Sequence, residues 1–453
     1  MNTLLDSFEI SKGEKTFFTI LPNGKTLLTT EFGSWIIGEE DEIEELIKRK
    51  KCKTKLFEKK FFFSSPKLFI LKLTRDCNFN CQYCHSVTEK FGANNTRMDF
   101  ETAAKIIDYI INETNEQGKI RIEFQGGEPL LEWDLIKRTL EYTIERFRDL
   151  ERETPNFSFS TNGSLLSENI IREIKEFQEK VNLGLSISFD GDEEVTEITR
   201  PYKNGNSSYS KVRKKIELLN EERIDYGTIT LITRESLGKE KGIIENLRSL
   251  GLKKSYFLPV LPFGRILENP KLYDKFILSP KETRLFFERV LNHCIKIWKK
   301  GDFFFDRTLF SYFNNLRSLD REYMCLRRPC GAMRSIFVFD NKGRIFGCDG
   351  GNLLDEMYFG NIESVHIRDV FRKKSPVMNQ AYYWFDNCND CPFQAFCGIC
   401  TSRVISHSKL FSKKYSEKYE CSLNKEMFSL VFETLMDKEK FDTCKEILDN
   451  YIL

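Results

Sequence analysis

From residue 66 onward, short apolar runs alternate with longer segments whose apolar residues recur every three or four positions. The runs at 68–74, 119–125, 157–161, 183–189, 226–232 and 255–260 predict strands. The segments at 100–114, 132–150, 167–180, 208–222, 238–250 and 281–299 predict helices packed by one face. Six such strand–helix units predict an α/β fold with a parallel sheet and right-handed crossovers. A closed barrel needs eight. The expectation over 66–300 is therefore a partial (β/α)6 barrel, open on one side to a bulky substrate.

Flanking segments follow other patterns. Short strands are expected at 15–20, 25–30 and 34–37, broken by Asn23-Gly24 and Gly33, with a charged helix at 39–51. Residues 1–65 thus read as a small α+β module, either a packing extension or a peptide-binding unit. Beyond the barrel come a bridging segment (301–324), a cysteine-rich stretch (325–425) and a terminal helix (426–453). Within the cysteine-rich stretch, 336–340 and 343–346 predict a hairpin around Asn341-Lys342-Gly343.

Charge changes this picture little. Seventy Lys and Arg face 68 Asp and Glu, a formal net charge of +2, so no global field favours nucleic acid or an anionic membrane. No run approaches the ~18 apolar residues of a membrane span. The first residues meet acids before any apolar core, unlike a signal peptide. A cytoplasmic protein is expected. The 40 phenylalanines read as core composition.

Cysteine usage is more informative. Of fourteen, three fall within 77–84 and eight within 325–421, against only four histidines: His85, His293, His366 and His407. Cys52 reads as a lone thiol, Cys294 and Cys444 as core. Disulfide scaffolds belong to small secreted domains, so these cysteines point to metal. Cys77, Cys81 and Cys84 form C-x3-C-x2-C on the loop after the first barrel strand, at the end where barrels build active sites. Structural zinc sites fill all four positions; three thiolates leave one open. Aromatic Tyr83 precedes the last of them.

Polar residues recur at the next strand ends. Gln125-Gly126-Gly127-Glu128-Pro129 opens a turn whose glycines would admit a ligand against the backbone. Ser160-Thr161-Asn162-Gly163 ends the third strand. Ser186, Ser188 and Asp190 share one face by the two-residue period, and Arg200 follows in R-P-Y. Leu231–Thr233 and Phe257–Pro259 are expected to line the cavity. In the C-terminal stretch, Cys325, Cys330, Cys348, Cys388, Cys391, Cys397, Cys400 and Cys421 suffice for two four-thiolate sites, of zinc or iron–sulfur type. Asp349, before Gly350-Gly351, is either a turn former or a site acid.

C-x3-C-x2-C with an aromatic before its last cysteine resembles the radical S-adenosylmethionine (SAM) enzymes. The resemblance implies a [4Fe–4S] cluster on Cys77, Cys81 and Cys84 whose fourth iron binds SAM, reductive SAM cleavage to a 5′-deoxyadenosyl radical, and hydrogen abstraction from an unactivated C–H bond. It assigns Tyr83, Gly126, Gly127, Glu128, Pro129, Ser160, Asn162, Ser186, Ser188, Asp190 and Arg200 to SAM. The C-terminal array resembles the SPASM extension. That implies two auxiliary [4Fe–4S] clusters, one on Cys325, Cys330, Cys348 and Cys400, the other on Cys388, Cys391, Cys397 and Cys421. The family usually has three residues between the last clustered pair, where Cys397 and Cys400 enclose two. The resemblance also makes Asp349 a base or substrate anchor.

Stretches such as IEFQGGEPLLEWDLI, FVFDNKGRIFGCDGGNLLDEMYFGNI and CNDCPFQAFCGIC are similar to the radical SAM maturase of His-Xaa-Ser peptide systems. This implies a ribosomally made precursor peptide as substrate, a crosslink or other side-chain change as product, and a low-potential donor such as flavodoxin or ferredoxin. Two alternatives are formylglycine formation on a protein, as in anaerobic sulfatase maturases, and a non-catalytic zinc or iron–sulfur protein.

Overall fold

The computed structural model describes residues 15–30, 33–43, 66–86, 97–114, 119–317, 325–326, 330–352, 354–367, 369, 388, 390–410 and 413–451. Cys52 and most of the helix expected at 39–51 lie outside them.

The periodic segments fold as their patterns dictate. Strands β4 (Leu68–Thr74), β5 (Arg121–Gly126), β6 (Asn156–Thr161), β7 (Leu183–Ser188), β8 (Tyr226–Ile232) and β9 (Lys254–Pro259) pair in parallel in that order. Between them lie α1 (Phe100–Glu113), α2 (Trp133–Asp149), α3 (Glu168–Lys180), α4 (Glu193–Thr199), α5 (Tyr209–Glu221) and α6 (Glu240–Ser249). Local chemistry sets the helix starts. Asp99 caps α1 by accepting from Thr102 N, and Ser167 caps α3 by accepting from Ile170 N. Ser279 and Glu282 form a capping box for α9 (Pro280–Trp298), with Pro280 at its first turn. Before α9 come α7 (Arg265–Glu268) and α8 (Lys271–Phe276).

The two faces of this sheet differ. Phe69, Leu71, Leu73, Ile122, Phe124, Phe157, Phe159, Leu183, Leu185 and Ile187 are buried in the main core with the helices. Successive side chains point to opposite faces, so Lys72, Glu123, Gln125, Ser158, Ser160, Ser186 and Ser188 share the other, inner face.

The sheet is longer than six strands. Short β10 (Phe305–Asp306) adds in parallel beside β9, leading into α10 (Arg307–Arg317). At the other edge β11 (Ile336–Phe339) pairs in parallel with β4, and β12 (Arg344–Phe346) and β13 (Tyr358–Asn361) continue antiparallel. The hairpin expected within the cysteine-rich stretch is therefore part of the barrel sheet. Ile70 on β4 packs with Ile336, Val338 and Phe346, and Cys348 lies against that cluster. The edge strands β10 and β13 are not paired with each other, so the barrel is partial.

β1 (Thr16–Ile20), β2 (Thr26–Thr30) and β3 (Trp35–Gly38) form a separate antiparallel sheet. Every residue of β2 is buried. Trp35 meets Phe432 edge-on at 5.3 Å, and Thr29 Oγ1 donates to Pro392 O at 2.6 Å. The N-terminal sheet thus packs against the C-terminal region, where α11 (Thr401–Leu410), α12 (Lys413–Met436) and α13 (Lys438–Tyr451) complete the chain. Cys294 on α9 and Cys444 on α13 are buried core, as expected.

Candidate functional site

The three-cysteine loop follows β4 and is gripped from four sides. From β5, Gly127 N donates to Thr74 O and Glu128 N to Asp76 O, both at 2.8 Å. A Cβ on Gly127 would stand 2.2 Å from Asp76 O. The Cβ side of both glycines is filled by the backbone of Thr74 to Asp76, so only glycine fits there. From β6, Asn162 Nδ2 donates to Asn78 Oδ1 at 2.8 Å and reaches Cys77 Sγ at 3.9 Å. The R-P-Y segment binds through its backbone: Asn80 N donates to Pro201 O at 2.8 Å, and Phe79 bridges Tyr202. After β9, Gly264 lies so close that a Cβ would meet Cys84 O at 2.5 Å, and Arg265 Nη1 donates to Asn80 Oδ1 and Cys81 O.

Several residues expected at SAM have internal partners. Glu128 is buried, with Oε1 accepting from Thr161 Oγ1 and Leu130 N and Oε2 from Asn162 N. Burial raises its pKa, while these donors oppose the rise. Asp190 is likewise buried. It accepts from Tyr83 OH at 3.0 Å, Thr199 Oγ1 at 2.7 Å and Leu231 N at 3.0 Å, and its Oδ2 lies 2.9 Å from Arg200 Nε. Burial works against the Arg200 charge, but Asp190 more than restores it. Arg200 also sits over the Tyr83 ring at 5.7 Å. Glu128, Asn162, Asp190 and Arg200 thus form a hydrogen-bonded brace behind the cysteine loop, which Tyr83 meets from within the loop. Pro129 is buried at the first turn after β5. Ser160 and Ser186 pair in register and, with Ser188, stay half-buried on the inner face.

Cys77 is pushed up to about 12 by burial and by Glu128 and Cys84, and Cys81 is also raised, first by burial and then, against Arg200, by Cys84 and Cys77. Such crowded thiols stay protonated until a cation displaces the protons. Among the described residues no three His, Cys, Asp or Glu side chains stand close enough to share a single ion. The donor set is three neighbouring thiols, which fits a cluster carrying each thiolate on its own iron.

The eight C-terminal cysteines separate into two neighbourhoods. Burial first, then Cys400, Cys330 and Cys325, raise Cys348; Cys325 feels Cys400 and Cys330. Burial first, then Cys391, Cys388 and Cys421, raise Cys397, and these four line one cavity with Phe393 and Ile399. The two-residue spacing to Cys400 does not prevent it from joining the first group.

A charged chain on the inner face joins the two ends of the site. Lys72 Nζ donates to Gln125 Oε1 at 2.6 Å and pairs with Asp349; Gln125 Nε2 donates to Glu123 Oε1 at 2.5 Å; Asp349 Oδ2 lies 3.0 Å from His85 Nε2. Burial opposes the Asp349 charge, yet Lys72 and then His85 hold its carboxyl well below the usual range. Glu123 moves the other way: burial raises it and Asp349 adds to the rise. A turn does form here, with Gly351 N donating to Cys348 O at 3.1 Å, but the Asp349 side chain reaches across to β4. Sequence reasoning gave no site role to Lys72, Glu123, Gln125, His85, Gly264 or Arg265. Only Lys72 carried a signal, as the single charge in the apolar run LFILKLT.

The radical SAM superfamily model matches residues 71–247. An uncharacterized protein of Methanocaldococcus jannaschii is 36% identical over 226 residues, which are 50% of this chain and 70% of that protein. A cysteine-type anaerobic sulfatase-maturating enzyme of Clostridium perfringens is 24% identical over 380 residues, 82% of this chain and 97% of that enzyme. The crystal structure of Streptococcus suis SuiB bound to precursor peptide SuiA shares the fold, with a TM-score of 0.54 at 14% identity, covering 88% of this chain and 96% of that one. With its three thiols on the loop after the first barrel strand, the chain belongs to the radical SAM superfamily, whose members use SAM and a [4Fe–4S] cluster.

Proposed function

We propose that this protein is a SPASM-type radical SAM oxidoreductase that modifies a side chain of a ribosomally made precursor peptide, most like the His-Xaa-Ser maturases. One observation carries the reading. The sheet extension at β4 puts Cys348 and Asp349 beside the three-cysteine loop, with Asp349 Oδ2 3.0 Å from the His85 ring that directly follows Cys84. The fold shared with SuiB, solved with a precursor peptide, supports a peptide as substrate, and the unpaired barrel edges leave room for one.

In this reading Cys77, Cys81 and Cys84 hold the SAM-binding cluster, and Ser160, Ser186 and Ser188 with nearby backbone line the SAM site. The bound pair supplies the hydrogen-abstracting radical. The eight C-terminal cysteines hold two auxiliary [4Fe–4S] clusters. Glu128, Asn162, Asp190 and Arg200 keep the loop fixed. Asp349, held ionised by Lys72 and His85, anchors a substrate N–H; the same two partners make it too weak a base to take a proton. Electrons arrive from a low-potential donor such as flavodoxin or ferredoxin. Among the described residues no helix is long and apolar enough to cross a membrane, which supports a cytoplasmic site of action.

A second reading, formylglycine formation on a sulfatase, is favoured by the 97% coverage of the Clostridium perfringens maturase. The test is anaerobic reconstitution with SAM and dithionite, then incubation with a short precursor encoded beside the gene and, separately, with a sulfatase peptide. Release of 5′-deoxyadenosine with loss of hydrogen from the precursor supports peptide maturation. A hydrazine-trappable carbonyl on the sulfatase peptide supports the second reading. Asp349→Asn should leave nucleoside release intact and slow product formation by about 100-fold; an unchanged product rate removes Asp349 from the mechanism.

A further inference from the structure

Arg403 and Glu420 form an ion pair between the two C-terminal cysteine groups. Arg403 lies one helical turn after Cys400 on α11, and Glu420 directly precedes Cys421 on α12. Arg403 Nε stands 2.7 Å from Glu420 Oε1, with the Glu420 side chain fully buried and the Arg403 side chain 14% exposed. Tyr312, packed edge-on to Phe428 at 5.2 Å, lies by the same pair and within electrostatic reach of Cys325 in one group and Cys397 in the other.

The surroundings of the two groups are unequal. On the first, Arg403 acts on Cys325 and Cys400, its backbone N–H donates to the Cys400 sulfur, and Ser402 Oγ lies 3.0 Å from Cys348 Sγ. Glu420 adds negative charge near Cys397 in the second group and, more weakly than Arg403, near Cys400 in the first. Lys425 opposes it at Cys391, but Lys425 is exposed, and water screens an exposed charge far more than a buried one.

We propose that the Arg403–Glu420 pair sets a potential difference between the two auxiliary clusters, making the Cys325/Cys330/Cys348/Cys400 site the easier to reduce. A reduced cluster carries one more negative charge. A nearby cation stabilises it and raises the potential; a nearby anion, or the loss of that cation, lowers it. With clusters bound at both sites, an electron shared between them would favour the first, one cluster being oxidised as the other is reduced by a single unit. That site is the one whose Cys348 adjoins Asp349 and the inner face. The inference rests on the two-cluster reading above.

The test is an EPR-monitored redox titration of the full, anaerobically reconstituted chain, with signals assigned through Cys348→Ala and Cys391→Ala. Arg403→Gln should lower the potential of the first cluster, Glu420→Gln should raise that of the second, and Arg403→Lys should keep the separation. Should Arg403→Gln fail to hold its cluster, Glu420→Gln decides alone. Unmoved potentials, or both moving together, in protein carrying about twelve irons overturn this inference and leave the two-cluster reading intact. About four irons per chain overturn that reading itself.

Discussion

At the mouth of the sheet, three thiols share one eight-residue loop that other elements hold; in the C-terminal region, eight thiols are spread over 325–421 and only folding gathers them into fours. In the proposed reading the first arrangement would leave a corner of its cluster open to a second ligand, and the loop's geometry is held by hydrogen bonds from Glu128, Asn162 and Asp190. In the proposed reading the second would supply every corner of its clusters from the chain itself. On that reading, three thiols on a short loop make an open site, and four recruited from afar make a closed one.

The strongest way to break this contrast is at the loop. Cys77, Cys81 and Cys84 all changed to Ala should reduce 5′-deoxyadenosine release by roughly a thousandfold or more, to background, measured by chromatography after dithionite reduction. Cys391→Ala should instead remove about four irons and leave SAM cleavage within about twofold; a collapse of nucleoside release there would erase the distinction. Asp190→Asn leaves the buried Arg200 charge uncompensated and should destabilise the fold by about 3 kcal/mol, seen as a lowered thermal midpoint.

A further effect, felt only below about pH 6.5, concerns the C-terminal region. His407 on α11 is buried and, by burial and then Arg403, its pKa is lowered to about 3, with Tyr273 OH 3.2 Å from Nε2. The unfolded chain takes up the His407 proton near the ordinary histidine value and the folded chain does not. Stability should fall as pH drops from about 6.5 towards 3, losing roughly 3 kcal/mol by pH 4. Thermal melts of His407→Phe across that range should lack this increment.

The six strand–helix units were legible because each rests on a local period of two or 3.6 residues. The cysteine loop was legible too, since its three thiols lie within eight residues of chain. The grouping of Cys325, Cys330, Cys348 and Cys400 came from the family's ligation order; in the fold Cys348 feels the charges of the other three. The roles of Glu128 and Asp190 were less visible. A carboxylate at a strand end looks the same whether it faces a ligand or a ring of backbone donors.

The sequence alone determined the alternating α/β core, the three-thiol loop at a strand end and the eight-cysteine reserve, because spacing and periodicity are properties of neighbouring residues. Only the tertiary structure decided that β11 docks on β4, that Lys72 meets Asp349, that Gly264 presses on Cys84 and that Arg403 faces Glu420. Most of these contacts join residues far apart in the chain, and all depend on how side chains fill a shared interior, which no local pattern records.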